Sequence, residues 1–392
     1  MLESMGKEGF RFKLFRGGEL YSPVHEGNKD LLLAGDRIAR IAAHLDVPKG
    51  LDVEIVDAEG KLIVPGFIDL HVHLIGGGGE DGPTSRVPEI ALSELTQAGI
   101  TTVIGVLGTD NVTRSPEALL AKVKALREEG ISAYMYTGSY HIPSVTITGS
   151  VRRDIALIEE VIGVKVAIAD HRGSQVTLDD LARLAFDARV GGLLGRKPGI
   201  VHVHVGRGKR GLGLLLELIE NTEIPISQFL PTHISKKGPV LLDQAIEFVR
   251  NGGNIDITAH KEEGETVSII NELLDKDVDL AKITMSSDGN GSMPRFNDQG
   301  ELIGMATGSV ASLGEVLRNL VNSNVLSLSD ALKPITSNPA DRLGLSDHKG
   351  RIQEGADANL VILDEDLQID QVFAKGQLMV DKGEAVVKGT FE

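Results

Sequence analysis

Cysteine is absent from the 392-residue chain. Its absence excludes disulfides, iron–sulfur clusters, thiolate nucleophiles and every zinc site that uses sulfur. Tryptophan is missing as well and aromatic residues make up only 4%, so any core must be aliphatic. No apolar run approaches the roughly 20 residues that a membrane-spanning helix needs. Basic residues are in deficit, 40 Lys+Arg against 56 Asp+Glu for a formal charge of −16. Such a balance disfavours nucleic acid and anionic membranes as partners, since both require a basic face. The opening stretch MLESMGKEGFRFK lacks the basic-then-apolar pattern of an export signal, which predicts a cytoplasmic location.

What is present fits a folded protein. Hydrophobic residues reach 41% and charged residues 24%, near the average for globular chains. The two ends read as short strands: Phe10–Tyr21, Leu31–Ala43 and Val53–Val64 at the start, and Asn359–Leu363, Gln371–Ala374, Gln377–Val380 and Ala385–Val387 at the finish. They are punctuated by turns such as Ala34-Gly35-Asp36. Neither end alone supplies enough strands for a stable core, which predicts one β domain, a small sandwich, assembled from both. The expected division is residues 1–65 with 346–392 for that domain, and 66–345 for the remainder.

In that remainder, apolar runs alternate with helical patterns. The runs are Ile63–Leu74, Thr101–Leu107, Ala133–Tyr140, Val164–Asp170, Ile200–Val205, Ile226–His233, Ile255–His260 and Ile283–Ser287. Ser115 ahead of Pro116 marks one helix start, and Thr177–Val190, Leu214–Glu220 and Val240–Arg250 repeat the helical spacing. Eight strands alternating with helices predict an α/β fold, a (β/α)₈ TIM barrel.

Eleven histidines occur, and eight of them (His71, His73, His141, His171, His202, His204, His233 and His260) fall at or near the ends of predicted barrel strands. Those ends converge on one face, where barrel enzymes build their sites. Without cysteine, such a gathering points to a metal held by nitrogen and oxygen. His71-Val72-His73 is the strongest motif, because the period of two in a strand aims both imidazoles to one side, about 6–7 Å apart. His202-Val203-His204 repeats the pattern on the fifth strand; His204 is read as the rim ligand and His202 as lining. His233 ends the sixth strand and Asp288 the eighth. Lys165, inside the apolar run Gly163–Ile168, is costly as a buried cation, so it is either ion-paired or chemically changed.

At these positions the chain resembles the amidohydrolase superfamily, metal-dependent barrels with a small β-sandwich made from both chain ends. Longer strings, His71 to Glu80, Leu107 to Asp110, Gly138 to His141, Ala169 to Arg172 and Ser286 to Ser292, are similar to its isoaspartyl dipeptidase branch. The resemblance implies two Zn²⁺ ions held by His71, His73, Lys165, His204, His233 and Asp288, with a carboxylated Lys165 and a hydroxide as bridges. It implies Asp288 as the proton carrier and Tyr140 as the oxyanion donor. Glu80 and Thr109 would meet the substrate ammonium, while Arg172, Ser292 and Lys236 would meet its carboxylate. Lys236 stands where that branch carries Arg, and a lysine cannot make the planar two-point grip. The partners implied are a small dipeptide with N-terminal isoaspartate and identical subunits, eight in the family pattern. Two other readings compete: the same metals acting on a cyclic amide or an N-acyl amino acid, and a non-catalytic scaffold. The glycine fingerprint Gly206–Gly211 follows a strand, but the next strand ends in Thr232-His233 and lacks the acidic ribose binder of a dinucleotide site.

Overall fold

The computed structural model describes residues 12–47, 49–235, 240–260, 264–296 and 302–392. The chain opens with five strands, β1 (Phe12–Tyr21), β2 (His25–Ala34), β3 (Arg37–Ala42), β4 (Val53–Asp57) and β5 (Leu62–Pro65). The stretch Leu31–Ala43 is broken at the expected turn Ala34-Gly35-Asp36, where Gly35 has φ +60°, and so supplies the end of β2 and all of β3. Eight parallel strands follow: β6 (Phe67–Val72), β7 (Ile100–Gly105), β8 (Ser132–Gly138), β9 (Val161–Ile168), β10 (Ile200–Val205), β11 (Phe229–Thr232), β12 (Ile255–Thr258) and β13 (Ile283–Ser286). A hairpin of β14 (Ser292–Phe296) and β15 (Leu302–Thr307) precedes the closing strands β16 (Leu360–Leu363), β17 (Ile369–Ala374), β18 (Gln377–Asp381) and β19 (Glu384–Ala385).

The two chain ends share one nine-stranded sheet, ordered β19-β18-β17-β16-β5-β1-β2-β3 with β4 alongside β1. They join where β5 pairs antiparallel with β16, Leu62 opposite Leu363 and Val64 opposite Val361. Inside it Phe15 meets Phe373 edge-on at 4.9 Å, within a core that includes Leu31, Ile63 and Leu360.

The strands β6 to β11 form a continuous parallel sheet, and β12 pairs with β13. β6, β7, β9 and β10 are buried along their whole length, as expected of parallel strands covered on both faces. Backbone bonds span the gaps. Ile234 N donates to Asp256 O at 3.3 Å between β11 and β12, and His73 N donates to Gly289 O at 2.8 Å between β6 and the end of β13. Two buried carboxylates reinforce these seams. Asp256 accepts from Thr232, Thr284 and Ser286 at 2.6–2.7 Å. Asp69 accepts from the Ser287 hydroxyl at 2.5 Å and from the Ser287 and His71 amides at 3.2 and 3.1 Å.

Helices pack outside the barrel, and their starts are written locally. Ser115 accepts from Ala118 N to cap Pro116–Glu128, and Thr177 with Asp180 forms a capping box on Leu178–Gly195. The apolar run Ile63–Leu74, expected as one barrel strand, divides at Gly66. Its first part belongs to the terminal sheet, and a side chain at Gly66 would lie 2.2 Å from Thr101 Oγ1. The start of the run Ile226–His233 is likewise a short 3₁₀ turn, Ile226–Gln228, ahead of β11. Among the described residues no helix is long and apolar enough to cross a membrane.

Candidate metal centre and active site

β6 delivers His71 and His73 to the C-terminal mouth of the barrel, β9 delivers Lys165, and the chain just beyond β11 and β13 delivers His233 and Asp288. His71, His233 and Asp288 each offer one ligand atom, all within 4.8 Å of one another. Asp288 Oδ1 lies 3.4 Å from His71 Nε2 and 3.3 Å from His73 Nε2. Lys165 Nζ is 3.0 Å from His71 Nε2. His233 spends Nδ1 on Thr258 Oγ1 at 2.7 Å, which leaves Nε2 to serve as a ligand atom. His233 and Asp288 both adopt positive φ, +66° and +52°, so each is turned out of its strand direction.

The electrostatics suit a cation. Burial holds the imidazoles of His71, His73 and His233 below their ordinary pKa, so their lone pairs are available at neutral pH. Burial likewise lowers the Lys165 amine to about 7. Burial alone would push Asp288 upward, but the His73 hydrogen bond and the nearby His233 and Lys165 hold it well below the usual carboxylate range. A neutral-nitrogen and carboxylate donor set of this kind fits a divalent metal such as zinc.

His204 stands slightly apart. Its ring lies 4.7 Å from that of His233, yet Nε2 donates to Asp170 Oδ2 at 2.8 Å. Nδ1 therefore accepts from the Tyr140 hydroxyl at 2.9 Å. Burial raises the Tyr140 pKa, which keeps that hydroxyl a donor. His202, read from the sequence as lining, is fully buried, shares a 2.8 Å hydrogen bond with His71 Nδ1 and stacks on Tyr136 at 4.9 Å. Of the other strand-end histidines, His171 points to solvent with 92% of its side chain exposed.

The predicted substrate contacts form a second cluster. Glu80 accepts from Thr109 at 3.1 Å, from Ser292 at 3.0 Å and from Arg172 Nη1 at 3.2 Å. Arg172 also grips Asp170 through Nε and Nη2 at 3.0 and 2.8 Å, and its guanidinium lies 5.4 Å from the Tyr140 ring. Burial works against the Asp170 charge, but hydrogen bonds from His204 and Arg172 hold its carboxyl far below the usual range. Asp170 thus ties the metal-side histidine to the guanidinium. Lys236 lies outside the described residues.

The glycines before Glu80 sit where a side chain would strike neighbouring backbone. A side chain on Gly76 would come within 1.9 Å of Val87 O, and one on Gly78 within 2.1 Å of Ser85 O. The run folds against its own loop, and Arg114 clips it by donating to Ile75 O at 3.0 Å and Val87 O at 2.9 Å. Sequence reasoning missed Asp69, Asp256 and the role of Asp170 as a hub. Asp69 alone had a signal, standing two residues before His71 and hence on its face of the strand.

The profile of the amidohydrolase family matches residues 62–379. The structure superposes on the β-aspartyl dipeptidase of Fervidobacterium islandicum AW-1, solved in complex with β-Asp-Leu dipeptide, with a TM-score of 0.89. The two are 42% identical over 95% of this chain and 98% of that one. A dihydroorotase from Bacillus cytotoxicus is 25% identical over 387 residues, 86% of this chain and 84% of that protein. A D-hydantoinase from a Thermus species shares the fold, with a TM-score of 0.69 at 18% identity over 96% and 97% of the two chains.

Proposed function

The chain belongs to the amidohydrolase family and is a hydrolase, and from that premise we propose that it cleaves the β-linked amide of dipeptides with N-terminal isoaspartate. The observation that carries this reading is the Glu80–Arg172 pair, 3.2 Å apart at the barrel mouth beside the histidine cluster. A free isoaspartyl residue carries an ammonium and a carboxylate on one carbon, so it can exchange with that pair, charge for charge. Ser292 and Thr109, already bonded to Glu80, supply hydroxyls to the same headgroup. The similarity to a β-aspartyl dipeptidase across nearly the whole chain supports the same substrate class.

In this reading His71, His73 and Asp288 would hold one zinc ion and His204 and His233 a second, with Lys165 contributing to the centre as a carbamate. When bound, such a pair activates water near neutral pH and polarises the scissile carbonyl. His204 would give up one of its two present hydrogen bonds to act as a ligand. Asp288, ionised and beside His71 and His73, accepts the proton of the attacking water and returns it to the leaving amine. The Tyr140 hydroxyl, kept protonated by burial, donates to the developing oxyanion. Asp170 holds the Arg172 guanidinium in plane for the carboxylate. A cytoplasmic enzyme of identical subunits belongs to the same reading.

The dihydroorotase relatives favour one rival, ring opening of a cyclic amide. The deciding experiment compares hydrolysis of β-Asp-Leu, α-Asp-Leu and dihydroorotate by metal-loaded enzyme. Turnover confined to β-Asp-Leu is expected. Equal rates on the two dipeptides, or turnover of dihydroorotate alone, would overturn the proposal.

A further inference from the structure

The base of the barrel, away from the histidines, meets the terminal sheet at a cavity of about 270 Å³. Its wall is assembled from parts of the chain that are far apart in sequence. Arg37 begins β3, Lys375 lies in the turn between β17 and β18, Lys349 precedes β16, and Ser132 and Tyr134 belong to the first residues of β8. The volume falls just short of the ~300–1,000 Å³ typical of sites for drug-sized ligands, so it suits a smaller one. β8 separates it from the active-site mouth, since Ser132 and Gly138 stand at opposite ends of that strand, about 20 Å apart.

The charges on this wall do not cancel, although the protein as a whole carries −16. Asp357 is shared between Lys349 and Arg37, each 2.5 Å away. Asp36 lies 3.8 Å from Arg37 with 63% of its side chain in solvent, where water screens it. Arg127, also on the wall, is taken up by Glu159 and Glu160. Among the described residues no carboxylate pairs with Lys375, whose amine donates to Ile131 O at 3.1 Å. That leaves two of its three N–H groups to spare. Lys349 is buried, yet one N–H remains after its bonds to Ser132 Oγ at 2.8 Å and to Asp357. The Tyr134 hydroxyl has no hydrogen-bond partner among the described residues, and burial raises its pKa, so it stays a donor. Burial holds the Lys349 amine below its ordinary pKa, opposed by Asp357 and reinforced by the charges of Lys375 and Arg37. Burial and then Arg127 do the same to Lys375. Cations that repel one another around a cavity are relieved by an anion between them.

We propose that this cavity binds a small dianion of the phosphate class, held by Lys349, Lys375 and Arg37 with the Tyr134 hydroxyl as a further donor. Three cations facing one well-placed carboxylate leave two positive charges, which such an ion neutralises through charge-assisted hydrogen bonds. Bound there, it ties two turns of the terminal sheet to the base of the barrel and stabilises the folded chain by mass action. Isothermal titration calorimetry of the full-length, metal-loaded protein with sodium phosphate at constant ionic strength tests this. A saturable site with Kd at or below about 1 mM is expected in the parent. Lys375→Met should weaken it about 10- to 100-fold, the worth of a charged hydrogen bond, and Tyr134→Phe by a few-fold. Circular dichroism and metal content of both variants should stay at the parent values. Phosphate should raise the Tm of the parent and leave that of Lys375→Met unmoved. A parallel titration with glycerol 3-phosphate tells a phosphate ester from the free ion as the tighter occupant. Absence of saturable binding to the parent, or a phosphate affinity unchanged in folded Lys375→Met and Tyr134→Phe, would overturn the proposal.

Discussion

Replacing Lys165 with Met keeps the length and apolar bulk of the side chain and removes only its amine. Lys165 is fully buried on β9, and burial lowers its pKa from 10.5 to about 7. At pH 7 about half of these amines are neutral, against roughly 3 in 10⁴ for an ordinary lysine. Neutral amine is the form that attacks CO₂, so the site favours a carbamate by about three orders of magnitude in reactive species. The same shift fixes the sign of a stability effect. Between about pH 7 and about pH 10.4 the folded metal-free protein binds fewer protons at this site than the unfolded chain does, so stability rises with pH across that window. The slope reaches about 1.4 kcal/mol per pH unit, and the destabilisation is complete below pH 7. From pH 7 to pH 9 wild type should therefore gain about 2–3 kcal/mol relative to Lys165→Met. Urea unfolding of chelator-treated protein in CO₂-depleted buffer, followed by circular dichroism, measures the difference. In metal-loaded protein supplied with ¹³C-bicarbonate, one carbamate resonance should appear and be missing from the variant. Parallel pH profiles for the two proteins would refute the buried neutral amine, and a carbamate signal that survives in Lys165→Met would refute its assignment.

Glu80→Gln keeps the hydrogen-bonding shape and removes the charge offered to an ammonium. It should lower kcat/KM for β-Asp-Leu by about 10- to 100-fold, the worth of a charged hydrogen bond, with metal content by elemental analysis unchanged. Asp288→Asn should lower kcat by at least about 100-fold, as expected on losing a proton carrier, and steady-state kinetics that retain more than about a tenth of kcat would remove it from that role. Prolonged chelation followed by desalting should abolish turnover, and added Zn²⁺ should restore it in proportion to metal bound.

The parts of the molecule most legible in the sequence are those whose partners are local. The His-x-His pair on β6 is visible because a strand repeats every two residues, and the helix starts at Ser115 and Thr177 are visible because a cap lies three residues from the amide it satisfies. Long-range contacts left no comparable trace. Asp69 meets Ser287 from 218 residues away, and Asp256 draws its three hydroxyl donors from two other strands. Gly66 separates two strands of different sheets, yet apolar residues flank it on both sides, so Ile63–Leu74 reads as one run. The hairpin Ser292–Phe296 with Leu302–Thr307 also escaped notice, since Pro294 and several glycines weaken its strand pattern.

The pairing of β5 with β16 also sets a schedule for synthesis. Leu62 and its partner Leu363 are 301 residues apart in the chain. At about 5–20 residues per second, the ribosome needs roughly 15–60 s to deliver that partner. Over that interval β5 is held on one side by β1, while its other edge offers unpaired amides and carbonyls to any strand that comes near. Barrel strands emerging in the meantime are destined for burial along their whole length and are the nearest wrong partners. Low temperature or rare codons, which stretch the interval, should thus favour aggregation during expression more than they harm the finished enzyme.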